Sequence, residues 1–121
     1  MLRTRFNLRL PPKNLGGLTC NITEILEEWR NVDEHKVKTG WERRGFSFGI
    51  WNDPPGQIWE NYIHGVDELL MLVEGEIELS FLGKTFRPKI GEEILIPAGA
   101  SHTVRNIGNS ANRWCYGYKQ R

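Results

Sequence analysis

The sequence predicts a small all-β domain, a sandwich or barrel built from short strands. Three observations carry this. Apolar and polar residues alternate over several short runs, the period of a half-buried strand. Thirteen glycines and six prolines among 121 residues break the chain into many pieces joined by turns. One segment alone combines a helix cap with helical periodicity.

The bulk numbers narrow the class further. At 121 residues the chain is read as one domain, able to bury a core without staples. Sixteen basic residues stand against fifteen acidic ones, for a net charge of +1, so no basic stripe points to nucleic acid. The longest apolar run, around Leu69–Val73, is too short to cross a bilayer. The N-terminus lacks the apolar core and cleavage site of a signal peptide. Cys20 and Cys115 form neither a disulfide framework nor a CxxC pair and are read as free thiols. A cytoplasmic protein without nucleic-acid or membrane partners is the expectation.

The elements follow in order. Pro11-Pro12 and Gly16-Gly17 punctuate an irregular opening. Asn21 can cap a helix, with Glu24 three places on as its capping-box partner, and Ile22, Ile25, Leu26 and Trp29 recur at helical spacing. This predicts a short helix ending near Arg30. Residues 31–40 are polar and carry no strong signal. From Phe46 the pattern becomes strand-like: Phe46, Phe48 and Ile50 alternate with Ser47, Gly49 and Trp51. Asp53-Pro54-Pro55-Gly56 is a turn by composition. Ile77, Leu79 and Phe81 mark a two-faced strand, and Leu82-Gly83-Lys84 turns it into a hairpin with Thr85-Phe86-Arg87. Ile94 and Ile96, then His102, Val104 and Asn106, then Trp114, Tyr116 and Tyr118 mark three more strands.

The stretch Asn61–Gly75 reads two ways. Val66, Leu69, Leu70 and Val73 fit a helical stripe, which would set His64 and Glu68 one turn apart. Gly65, and the firm strand after Gly75, favour strands instead. On one straight strand, His64 and Glu68 would lie about 13 Å apart at roughly 3.3 Å per residue. Metal–ligand bonds are about 2 Å, so one ion could not reach both. The strand reading brings the pair together only if Gly65-Val66-Asp67 turns the chain, His64 closing one strand of a hairpin and Glu68 opening the next.

Two spacings then resemble the cupin superfamily. Gly91, Pro97, Gly99, His102 and Asn106 stand at the spacing of its second motif, G-x5-P-x-G-x2-H-x3-N. Tyr62-Ile63-His64, Glu68 and Gly75 are similar to its first motif, H-x-H-x3-E-x6-G, with tyrosine in the first histidine's place. The resemblance covers roughly residues 46–118. It implies a double-stranded β-helix, or jelly-roll barrel, preceded by residues 1–45 as an N-terminal extension of a single cupin domain spanning 1–121. It also implies a divalent transition metal (Fe, Mn, Ni, Cu or Zn) held by His64, Glu68 and His102. Two imidazoles and a carboxylate suit such an ion. The plain alternative is a barrel in which these side chains form a hydrogen-bonded core.

Tyr62 is the departure. A phenol, with a pKa of about 10, ligates poorly unless a cation displaces its proton. It is read as a partner of bound substrate or an acid–base group ahead of a direct ligand. Glu60 shares its parity and is read as a solvated rim residue. His35 is read as a solvated loop histidine, Asp67 as part of the turn, and Glu92 and Glu93 as solvated. Cys115 is expected to be a small buried apolar residue. The remaining aromatics are read as core or interface, a few lining a pocket mouth.

The expected function is a small metalloenzyme of oxygenase, isomerase or lyase type acting on a small organic molecule. The alternatives are a non-catalytic binding or sensory barrel, or a metal-free structural barrel. A homodimer is expected, paired through the face Trp114, Tyr116, Tyr118 and the segment Phe6, Leu8, Leu10.

Overall fold

The computed structural model describes residues 32–121. The helix expected after Asn21, Cys20 and the segment Phe6, Leu8, Leu10 lie outside the described residues. Among the described residues, one helix, α1 (Glu34–Arg43), precedes eight strands. These are β1 (Gly49–Asp53), β2 (Ile58–Tyr62), β3 (Glu68–Glu74), β4 (Glu78–Phe81), β5 (Lys84–Phe86), β6 (Glu93–Ile96), β7 (His102–Arg105) and β8 (Asn112–Tyr118). They form two four-stranded sheets, ordered β1-β8-β3-β6 and β2-β7-β4-β5, with every neighbouring pair antiparallel. This is the sandwich that the strand pattern predicts, with the jelly-roll form that the cupin resemblance implies.

Helix α1 occupies the stretch read as featureless, so His35 lies exposed on a helix and not in a loop. Asp33 caps it, its Oδ1 accepting from the Lys36 N–H at 3.1 Å. The segment shows one cap and the single apolar pair Val37 and Trp41, too few positions for helical periodicity to register.

Strand β3 explains why Asn61–Gly75 looked ambiguous. Leu69, Leu70, Met71 and Leu72 are all buried. Leu70 and Leu72 join the core between the sheets with Ile77, Leu79, Ile96, Val104 and Trp114. Leu69 and Met71 face the other way, into a second core with Trp41, Phe46 and Cys115. A central strand covered on both faces loses the period-two signature. Burial pushes the Cys115 thiol up to about 11, with Glu34 adding to the effect, so it behaves as the small apolar residue expected.

The hairpin at Gly65-Val66-Asp67 is not formed. The chain does bend at Gly65 and Val66, but β2 and β3 belong to opposite sheets. The bend is a corner between sheets, and the distance requirement is met by crossing the sandwich. The hairpin at Leu82-Gly83 does form, with φ of 51° and 76° at its two central residues, the left-handed pair that matches the twist of short hairpins.

Candidate metal centre

The centre is assembled where the β2–β3 corner meets the loop between β6 and β7. His64 lies just past the end of β2, and its carbonyl accepts from Gly99 N–H at 2.9 Å. Three residues on, Asp67 Oδ1 accepts from Ala98 N–H at 2.8 Å, so Asp67 pins the Pro97-Ala98-Gly99 loop. Its carbonyl accepts from Lys119 N–H at 2.9 Å, tying the same corner to the end of β8. Glu68 opens β3, with Ile96 and Tyr118 as its cross-strand partners. His102 opens β7, opposite Tyr62 of β2 and Phe81 of β4.

These elements bring His64, Glu68 and His102 together, with ligand atoms all within 4.8 Å of one another. Glu68 is 3 % exposed and His102 5 %. His64 Nε2 lies 3.4 Å and His102 Nε2 3.3 Å from the same oxygen, Glu68 Oε1. Neither contact has hydrogen-bond alignment: Oε1 is buried and has no hydrogen-bond partner. A buried acceptor left unpaired costs about 1–3 kcal/mol. Two ligand atoms each about 2.1 Å from one ion, at angles of 90–110°, would sit about 3.0–3.4 Å apart. The observed spacings suit a shared cation better than a proton.

The electrostatics agree. Burial works to lower the pKa of His102, but the adjacent Glu68 carboxylate overrides it and the net shift is upward. The Ala100 carbonyl accepts from His102 Nδ1–H at 3.4 Å, which fixes the tautomer and leaves Nε2 facing Glu68.

Tyr62 stands at the cavity mouth, 44 % exposed, its ring parallel to His64 with centroids 6.5 Å apart. Tyr118 is the residue that sequence reasoning missed. Its ring meets His64 edge-on at 4.8 Å. Burial, then the charge of Glu68, pushes its phenol up to about 12, so it keeps its proton. The alternation of β8 already placed Tyr118 with Trp114 and Tyr116, but nothing in sequence set that face inward. All three line the cavity and do not form an outward face for a second subunit.

The cavity holds about 270 Å³ and also exposes Trp51, Trp59 and Val104. Parity along β2 predicted Glu60, not Trp59, beside Tyr62. A bulge at Asn61, with φ of 55°, shifts the register between Trp59 and Tyr62 and turns Glu60 out to solvent. Glu93 is exposed, as expected, but it is also paired. It sits on β6, where it accepts from Trp41 Nε1–H at 3.0 Å and pairs with both terminal nitrogens of Arg44 at 2.8 Å.

The cupin domain family matches residues 49–116, more than half of the chain. The chain belongs to the cupin family. The polyketide synthase CurC of Streptomyces cyaneus is 30% identical over 63 residues, covering 52% of this cupin and 41% of that protein. This cupin therefore spans less than half the length of that relative. Among solved structures, the cupin domain of Schizosaccharomyces pombe Cnp3 is similar at a TM-score of 0.58 and 24% identity, over 64% of this chain and 57% of that one. The predicted oxalate decarboxylase of Thermotoga maritima is similar at a TM-score of 0.58 and 21% identity, over 74% and 76%. Identities this low speak for the shared fold alone. No helix among the described residues is long and apolar enough to cross a membrane.

Proposed function

We propose that this cupin holds one divalent transition metal through His64 Nε2, Glu68 Oε1 and His102 Nε2, and acts on a small organic molecule bound above it. The observation that carries the reading is the buried, unpartnered Glu68 Oε1 facing two imidazole nitrogens at 3.3 and 3.4 Å. Two histidines and one carboxylate leave further positions open for a ligand. Iron, manganese, nickel, copper and zinc all accept this donor set. When bound, the ion would supply Lewis-acid polarisation of a substrate oxygen.

The chain's own residues supply the rest. The His102–Ala100 contact orients one imidazole. The Gly99 amide holds the His64 carbonyl and the Ala98 amide the Asp67 carboxylate, fixing the His64–Asp67 corner. Tyr118, protonated and against His64, is placed to donate a hydrogen bond to substrate. Tyr62 at the mouth is a substrate contact or proton carrier. Oxygenase, isomerase and lyase reactions all fit such a set.

Metal analysis of protein purified without chelators should find one ion per chain, with His102→Ala and His64→Ala reducing it to background. Less than a tenth of an ion per wild-type chain, with no thermal shift on adding any of the five metals, would remove the reading. Tyr62→Phe should keep the metal. A Tyr62→Phe protein that loses it would make the phenol a ligand.

A further inference from the structure

Trp51, Trp59, Tyr62, His64, Tyr118 and Tyr116 form a closed annulus of six rings around the cavity. Each neighbours the next, with centroids 4.8–6.5 Å apart, and Tyr116 returns to Trp51. Every pair except the parallel Tyr62–His64 is tilted by 52–80°. The ring spans both sheets.

One buried carboxylate sets it. Asp53, 2 % exposed at the end of β1, accepts three indole N–H groups: Trp51 at 2.8 Å and Trp59 at 2.9 Å on Oδ1, and Trp114 at 3.1 Å on Oδ2. Those indoles come from β1, β2 and β8, so a single side chain ties the two sheets at the cavity. Asp53 is itself fixed. Its N–H donates to Asn112 Oδ1 at 3.2 Å, and its carbonyl accepts from Asn106 Nδ2 at 3.1 Å. The second cupin-motif asparagine thus anchors the residue that anchors the tryptophans.

Two chemical consequences follow. With their N–H groups engaged by Asp53, the three indoles offer a ligand carbon faces and edges and no donors. No Lys or Arg side chain lines the cavity among the described residues, while Glu68 and, behind the indoles, Asp53 are acidic. An anionic ligand would find no lysine or arginine, the His102 imidazole is already faced by the Glu68 carboxylate at 3.3 Å, and a cation would meet the proposed metal. Aromatic rings favour flat partners by offset and edge contacts. A cavity of about 270 Å³ lies just below the usual range of ligand sites, which starts at roughly 300 Å³.

We propose that the annulus selects an uncharged, planar conjugated ligand of one or two rings, and that Asp53 is the positioning residue that shapes it. That the ligand carries an oxygen donor, as a phenol or conjugated ketone does, rests on the metal centre proposed above. That it is planar rests on the annulus alone.

Calorimetric titration of metal-free and metal-loaded protein with 2-naphthol, cyclohexanol and oxalate tests this. 2-Naphthol should bind at least tenfold more tightly than cyclohexanol in both forms, and more tightly than oxalate in the metal-free form. Asp53→Asn, which keeps the volume but sets an amide N–H group among indole donors, should cut the naphthol-to-cyclohexanol ratio about tenfold with bound metal unchanged. A merely structural role would weaken both ligands alike and leave that ratio standing. If Asp53→Asn does not fold, Trp51→Ala decides. Trp51 is 42 % exposed, and Asp53 Oδ1 keeps the Trp59 donor without it, so the variant should stay folded while the same ratio falls. Equal affinity for the planar and non-planar alcohols, oxalate preferred without metal, or a ratio unmoved by the folded variants would overturn the proposal. Naphthol selectivity in a protein that takes up no metal would sink the metal centre and leave the annulus standing.

Discussion

Glu68 is a buried carboxylate whose placement is costly to the metal-free fold. Its Oε1 is buried without a hydrogen bond, a state that costs about 1–3 kcal/mol. What partly offsets this is the charge of protonated His102, whose pKa is raised by Glu68 against the effect of burial. The sign follows by linkage. A raised folded pKa gives stability fully present below the ordinary imidazole value of about 6.5, lost as pH rises through the raised one. Metal-free Glu68→Gln should therefore trail the wild type near pH 5, and match or exceed its Tm by pH 8, while losing the thermal shift that metal gives the wild type. A scan of metal-free Tm at several pH values, then with added metal, checks both. If Glu68→Gln is less stable than wild type by more than about 8 °C at pH 8, roughly 1–2 kcal/mol on a domain of this size, Glu68 is a structural residue and the metal reading weakens.

At the scale of elements, loops set the ligands and the helix braces the outer face of one sheet. Asp67 joins the β2–β3 corner to the Pro97–Gly99 loop through its bond to the Ala98 N–H, beside the His64–Gly99 bond. Asp67→Ala should cost about 1 kcal/mol of stability. Loosening the support of His64 should also weaken metal affinity about tenfold, the lower end of what outer-shell losses do. Metal titration of a stably folded variant checks this, and unchanged affinity would make Asp67 a turn residue only. Helix α1 is held by Glu93, whose pKa is lowered first by its hydrogen bond with Arg44, against burial, with Trp41 assisting. The contact is partly exposed, so Glu93→Gln should cost no more than about 1 kcal/mol at pH 7. A lowered carboxylate pKa gives stability present above the ordinary value and lost as pH falls through the folded one. The gap in Tm between Glu93→Gln and wild type should accordingly close below about pH 4. A gap that persists at pH 3 would assign the effect to packing and not to charge.

For the whole molecule, the legible parts were those in which one residue's neighbours in sequence determine its surroundings. Turn glycines, the Leu82-Gly83 hairpin and the His102 strand fall in this class. The corner at Gly65 was legible as a bend but not as a change of sheet, because sheet membership depends on partners roughly twenty to fifty residues away. The Asn61 bulge reversed the parity of Trp59 and Glu60 for the same reason: its N–H donates to Thr103 Oγ1, on another strand. The Asp53 cluster was hidden because Trp114 is 61 residues from Asp53 and Trp59, though near in sequence, lies on the opposite sheet, so the three indoles meet only when the sheets close. The sandwich that results keeps two cores apart. Trp41, 2 % exposed, packs with Leu69, Met71 and Cys115 on the outer face of β3 and β8, while Glu68, Leu70, Trp114 and Tyr118 occupy the inner face. Alternation along two strands therefore separates stability from chemistry. Trp41→Ala should cost about 3–5 kcal/mol by cavity formation, a large share of the roughly 5–15 kcal/mol that holds a domain. Its Tm should fall by roughly 12–25 °C. At 10 °C, where the variant remains folded, metal stoichiometry and the preference for planar ligands should equal those of wild type. If the folded variant loses its metal while its inner strands keep native circular dichroism, the two faces are coupled through the sheet and that separation fails.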